Sequence, residues 1–177
     1  MEGVGRKKFG RRARARGLGE GGGFVRRLAC RPVSERYTHR LRVRYGECDQ
    51  QGVVFNAHYF AYFDHVLTEV WRDVVMPYND MLEAGVDVVV AEARASFKKP
   101  ARFDEEIDLQ WWVTRLGNTA MTTRIDVIRG DELLVEGEMV HVYVDAGTSS
   151  KRAIPDEIRA ALTPYLDGPD EGGDAAV

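Results

Sequence analysis

From Ala57 to about Val75 the residues Tyr59, Phe60, Tyr62, Phe63, Val66, Leu67, Val70, Trp71 and Val74 recur at intervals of three and four. That spacing describes one helix whose apolar surface is too wide for the outside of a protein, so the helix is expected to be largely buried. Asn56 stands where an N-cap is wanted, and Pro77 lies just past the end. Tyr37–Tyr45 alternates as a strand ahead of the helix. After a shorter helical or irregular piece to Ala84, four long strand-like segments follow, Asp87–Lys98, Glu106–Arg115, Thr119–Arg129 and Glu132–Asp145. Leu116-Gly117-Asn118 and Gly130-Asp131 are compact turn signals, which makes the last three an antiparallel meander. Pro155 to Leu166 reads as a short closing helix. Neither one long apolar helix nor one long sheet hides its apolar face alone, so the sheet must wrap the helix in an α+β architecture.

Charge divides the chain unevenly. Residues 1–36 carry eleven Lys and Arg against three Asp and Glu, a surplus of +8, so with −3 overall residues 37–177 carry −11. The Gly- and Arg-rich start has too few periodic apolar residues to offset chain entropy, and 1–36 is expected to be a disordered, solvated tail rather than a nucleic-acid-binding arm. Residues 167–177 form a second, acidic tail, leaving 37–166 as the single domain. Cys30 and Cys48 have no partners at zinc spacing, so neither a metal site nor a disulfide scaffold is expected. No run of eighteen apolar residues exists and no apolar signal segment follows the basic start, which points to the cytoplasm and away from membranes.

The segment Arg44–Tyr59 carries the chemistry. If Asn56 and Ala57 open the helix, their free backbone N–H groups and the positive end of the helix dipole face outward, ready for a carbonyl oxygen or an oxyanion. Asp49 lies seven residues before Asn56, and Gly52 lets the intervening loop fold back tightly. The carboxylate then stands near the same carbonyl, as nucleophile or as general base on water.

The string Tyr45-x-x-x-Asp49-x-x-Gly52-Val53-Val54-x-Asn56-x-x-Tyr59-x-x-Tyr62-Phe63, followed by Thr68-Glu69, resembles the 4-hydroxybenzoyl-CoA thioesterase-like branch of the hotdog-fold acyl-CoA thioesterases. The resemblance continues through Ser96–Glu105 and Lys151–Pro155 and covers roughly residues 37–166. It implies a sheet wrapped round one helix, a homodimer or homotetramer with active sites at subunit interfaces, and hydrolysis of acyl-CoA to free acid and CoA. Asp49 matches the family's catalytic carboxylate, Asn56 the position whose backbone N–H polarises the thioester carbonyl, and Gly52 the turn glycine. His58 falls in the first helical turn as a substrate contact. Lys151, Arg152 and Arg115 match basic positions for the nucleotide phosphates, with Lys98, Lys99 and Arg102 as further candidates. Coenzyme A is part of the substrate, and no other cofactor is implied.

Each residue also has a plainer reading. Asp beside Gly commonly bonds its own backbone. His58 and His65 are more often packed or surface histidines than catalysts. Glu47 suits a solvated or salt-bridged role, and Glu69, on a nearly apolar helix, should pair with an arginine or a backbone group. The helix aromatics are mostly core, with Tyr59 expected to line an acyl pocket, and Trp111 and Trp112 must point to opposite faces. Two alternatives stand beside acyl-CoA hydrolysis: a thioesterase acting on an acyl carrier protein, and a catalytically silent acyl-CoA-binding module.

Overall fold

A computed structural model describes residues 34–167. Most of both expected tails lies outside these residues, although Glu35 and Arg36 already rest on the domain: Glu35 N–H donates to the Pro164 carbonyl at 3.0 Å, and the Arg36 guanidinium lies 3.4 Å above the Trp112 ring.

The described chain runs β1 (Tyr37–Arg42), α1 (Asn56–Val70), α2 (Tyr78–Glu83), β2 (Val86–Phe97), β3 (Glu106–Leu116), β4 (Ala120–Arg129), β5 (Glu132–Asp145) and α3 (Asp156–Leu162). The five strands form one sheet in the order β1-β3-β4-β5-β2, antiparallel throughout. The expected meander is β3-β4-β5; β1 and β2 close its two edges. On β3, Ile107, Leu109, Trp111 and Val113 alternate into the core, so Trp111 faces inward while Trp112 faces the opposite side under Arg36. Tyr59, Tyr62, Phe63, Val66, Leu67 and Val70 of α1 are buried with them. The helix therefore lies across the concave face, with Phe63 set against the backbone of Gly137 in the middle of β5.

The ends of several elements differ from expectation. β1 stops at Arg42 because Tyr45–Glu47 forms a tight turn in which the Glu47 carboxylate accepts the Arg44 N–H at 2.7 Å. Asn56 is the first helical residue and Phe55 the N-cap, one position earlier than the N-cap expectation for Asn56. The helix continues past Val70 as a wider turn over Trp71–Val75. α3 ends at Leu162, with Pro164 inside a following tight turn. The outward side of α1 leaves Phe60 exposed, so among the described residues the helix is covered on one side only. Among the described residues no helix is long and apolar enough to cross a membrane.

Candidate active site

The loop before α1 is tied at both ends. Phe55 N–H donates to the Glu47 carbonyl, and Asp49 N–H to that of Val53, both at 2.9 Å. Gly52, at φ +74°, donates its N–H to the Asp49 carbonyl at 2.9 Å. The left-handed backbone this turn requires is open to glycine without strain. Within it, Gln51 N–H donates to Asp49 Oδ1 at 2.8 Å, leaving Oδ2 without a partner among the described residues. Asp49 thus makes the self-bonded turn of the plain reading and still offers one carboxylate oxygen.

The β2–β3 connection closes over this loop. Val54 N–H donates to the Ala101 carbonyl at 2.9 Å, and Ala101 N–H to the Tyr59 hydroxyl at 3.1 Å. A cavity of about 390 Å³ results, lined among others by Asp49, Asn56, Tyr59, Phe97, Lys98 and Lys99. At its inner edge α1 begins. His58 N–H is taken by the Phe55 carbonyl at 2.9 Å, whereas the N–H groups of Asn56 and Ala57 have no acceptor among the described residues. Asp49 and Asn56, the first residue of a fifteen-residue helix, therefore line one cavity at the positive end of that helix. Free N–H donors stabilise negative charge developing on a carbonyl oxygen, and the carboxylate can attack the carbonyl carbon or deprotonate water.

The other expected site residues divide. Tyr59 lines the cavity, though its hydroxyl is occupied by Ala101 N–H and burial raises its pKa. The half-buried His58 ring lies edge-on to Phe55 and does not line this cavity. Arg115, Lys151 and Arg152 are not brought to Asp49 within one chain. Arg115 pairs with Thr122 near the far end of β3, Lys151 bridges Val144 at the end of β5, and Arg152 Nη1 donates to the Gly85 carbonyl at 2.6 Å. Gly85 precedes β2 and Phe97 ends it, so twelve residues, about 35 Å of strand, separate Arg152 from the Asp49 cavity. The cations that do reach the cavity are Lys98, paired with Glu136 at 3.0 Å, and Lys99, paired with Glu132.

Phe97 is a lining residue that the pattern alone did not single out; it is 50% exposed and edge-on to Tyr59 at 5.5 Å. The signal was present as a large apolar residue ending a strand just before Lys98-Lys99-Pro100. Glu47 takes the structural role of its plain reading: Oε2 accepts the Tyr62 hydroxyl at 2.7 Å, and burial together with that carboxylate raises the Tyr62 pKa. Glu69 pairs with Arg72, and the Cys48 side chain packs against the core. A larger cavity of about 700 Å³ on the other flank of α1 holds Glu47, His39 and His65. It lies beside Ala61, Tyr62 and His65 rather than at the helix N-terminus, and its Glu47 is already committed to Tyr62.

Residues 51–142 match the family model described as "Thioesterase superfamily", a stretch that opens just after Asp49. The chain belongs to this superfamily. Thioester hydrolase is therefore its class, and its sheet and central helix are those of the hotdog-fold thioesterases. A "Putative esterase" of Aquifex aeolicus is 29% identical over 126 residues, 71% of this chain and 97% of that protein. "Acyl-CoA thioester hydrolase YbgC" of Escherichia coli O157:H7 is 29% identical over 121 residues, 68% of this chain and 90% of its own. Among solved structures, a hypothetical protein of Thermus thermophilus superposes with a TM-score of 0.68 at 30% identity, covering 74% of this chain and 98% of that one. The resemblance read from the motif around Asp49 is thus to the right family.

Proposed function

We propose that this thioesterase hydrolyses acyl-CoA esters at the Asp49 cavity. The observation that supports the reading is one cavity lined by both Asp49 and Asn56, whose N–H has no acceptor among the described residues, in a chain of this superfamily. The thioester carbonyl oxygen sits on the helix N-terminus, which takes up the negative charge of the tetrahedral intermediate. Two routes fit the geometry. In one, Asp49 Oδ2 bonds to the carbonyl carbon, the C–S bond breaks, CoA leaves as thiolate and water hydrolyses the mixed anhydride. In the other, Asp49 takes a proton from water, the water oxygen bonds to the carbon, and the same C–S bond breaks. Single turnover in ¹⁸O water, with both product and Asp49 weighed, and hydroxylamine capture of an acyl-Asp49 anhydride separate them: an unlabelled first product with ¹⁸O in the Asp49 carboxyl, or a captured Asp49 hydroxamate, requires attack by Asp49, whereas direct attack by water labels the product, leaves Asp49 unlabelled and gives no capture.

Lys98 and Lys99 at the rim provide positive charge for the CoA phosphates, in a domain that is otherwise acidic. Coenzyme A enters as part of the substrate, and neither route uses a separate cofactor. A relative named an acyl-CoA thioester hydrolase supports CoA as the carrier.

The assembly is read as a homodimer joined through β2. That strand is the longer of the sheet's two edges, unpaired over twelve residues among the described residues, and exposes Val89, Val90 and Phe97, a template for pairing that monomers normally blunt. Antiparallel pairing of two copies about the strand's midpoint extends the sheet and brings each Asp49 cavity to the subunit interface.

Thiol release from matched acyl-CoA and acyl-carrier-protein thioesters tests the substrate reading. Release from CoA esters is expected; release from carrier protein alone would transfer the activity to that partner, and release from neither would leave a binding role.

A further inference from the structure

His141, on the helix-facing side of β5, is 1% exposed, and neither ring nitrogen has a hydrogen-bond partner among the described residues. A buried polar group in that condition is costly and rare. Trp111 Nε1 and Tyr143 Oη are likewise without partners, but their rings are packed against Tyr165 and Trp71. His141 instead lines a cavity of about 290 Å³ between α1 and β2, room for about ten water-sized groups.

The walls of this cavity are apolar: Leu67, Trp71, Val88 and Val90, the last 52% exposed. Its other polar side chains are Asp64, Thr68 and Tyr78. The Thr68 hydroxyl is committed to the Asp64 carbonyl at 3.0 Å and that of Tyr78 to Asp87 at 2.7 Å. Of the polar side chains lining the chamber, the imidazole is the buried one with no partner among the described residues, whereas the Asp64 carboxylate is exposed. Burial lowers the His141 pKa to about 4, so at neutral pH the ring offers one N–H and one lone pair. The exposed Asp64 carboxylate would repel an anionic group there.

Pairing two β2 strands antiparallel about their midpoint sets Val86 opposite Phe97 of the second copy and Val88 opposite its Ala95. In the homodimer proposed above, this register turns the Val88–Val90 wall of the His141 chamber toward the end of the second copy's β2 where Phe97 lines its Asp49 cavity. We propose that this chamber receives the far end of the acyl group bound at the neighbouring copy's Asp49, and that His141 hydrogen-bonds an uncharged oxygen, hydroxyl or carbonyl, carried near that end. The inference rests on the acyl-CoA reading above and adds to it the class of acyl group: neutral and oxygen-tipped rather than plain alkyl or dicarboxylic.

The test is a ladder of ω-hydroxyacyl-CoAs of four to ten carbons, each measured against the plain acyl-CoA of equal length, with the full chain and with His141→Phe and His141→Gln. The kcat/KM ratio of hydroxylated to plain ester should exceed tenfold at one chain length, fall to near one in His141→Phe, and be partly restored in His141→Gln. Hydrolysis of plain esters with a ratio near one at every length, or a ratio unchanged in His141→Phe, overturns the proposal and leaves the thioesterase reading standing. Absence of hydrolysis of any CoA ester removes both. A measurement on the unaltered protein guards against a variant that does not fold. The His141 imidazole ¹⁵N signals should move with the matching ω-hydroxy acid but not with the plain acid; no difference between the two acids overturns the proposal.

Discussion

The ring of Phe63 rests directly on the backbone of Gly137: a Cβ built at Gly137 would lie 2.5 Å from Phe63 Cζ and 2.7 and 2.9 Å from its two Cε atoms. The central helix approaches the sheet this closely because β5 has no side chain at that point. Gly137→Ala should therefore overpack the core and destabilise the protein by about 1–3 kcal/mol, read as a lower urea midpoint at unchanged m. Phe63→Leu in the same chain should recover part of the loss, and independent, additive effects would show that this contact does not set the helix height.

Gly52 is a different kind of glycine. Its hypothetical Cβ meets nothing within 4 Å, so the constraint is the backbone angle of +74° alone. Gly52→Ala should cost about 1–2 kcal/mol of stability, with a larger proportional loss in kcat/KM because the turn it closes carries Asp49. Gly52→Asn, which tolerates that region better, should lose less of both. Equal kinetics for all three proteins would separate the turn from catalysis.

Lys98 and Lys99 line the Asp49 cavity but are 45% and 56% exposed at their side chains. Replacing both by Gln should raise KM for acyl-CoA roughly three- to tenfold, with kcat little changed and the difference shrinking at high salt. Lys151→Gln provides the contrast. If it raises KM more than the double variant does, the phosphates bind at the edge that the family resemblance indicated.

Burial lowers the His141 pKa from 6.5 to about 4. Between those values the unfolded chain holds a proton that the native ring refuses, so stability falls as pH drops from about 6.5 to about 4, and this ring contributes no further loss below that. The full effect is about 3 kcal/mol. Urea unfolding at pH 7, 5.5 and 4.5 should show a steeper decline in the wild type than in His141→Phe. Carboxylates held low by ion pairs, such as Glu132 and Glu136, act in both proteins and cancel. Parallel declines would contradict the assignment.

Much of this architecture was legible because local pattern and tertiary demand agree. The three-and-four spacing around Phe63 and the turns at Gly117-Asn118 and Gly130-Asp131 place α1 and the β3-β4-β5 meander without reference to distant residues. Asp49, Gly52 and Asn56 were legible as one loop because only seven residues separate its ends. What stayed hidden depends on long-range closure. That β2 lies beside β5 and β1 beside β3 follows from pairing between distant segments, and Lys98 and Lys99 reach the cavity because Val54 and Ala101 join across 47 residues of chain. The early end of β1 reflects a side chain competing for the backbone, Glu47 taking the Arg44 N–H that a longer strand would have used.

The most direct test of the central claim is thiol release from a panel of aliphatic and aromatic acyl-CoAs by the wild type and Asp49→Asn side by side, with thermal unfolding run on both. Activity in the wild type and a loss of at least about a hundredfold in kcat for Asp49→Asn, with the unfolding midpoint preserved, is the expected result. Equal activity in the two proteins would contradict the account and remove Asp49 from the chemistry.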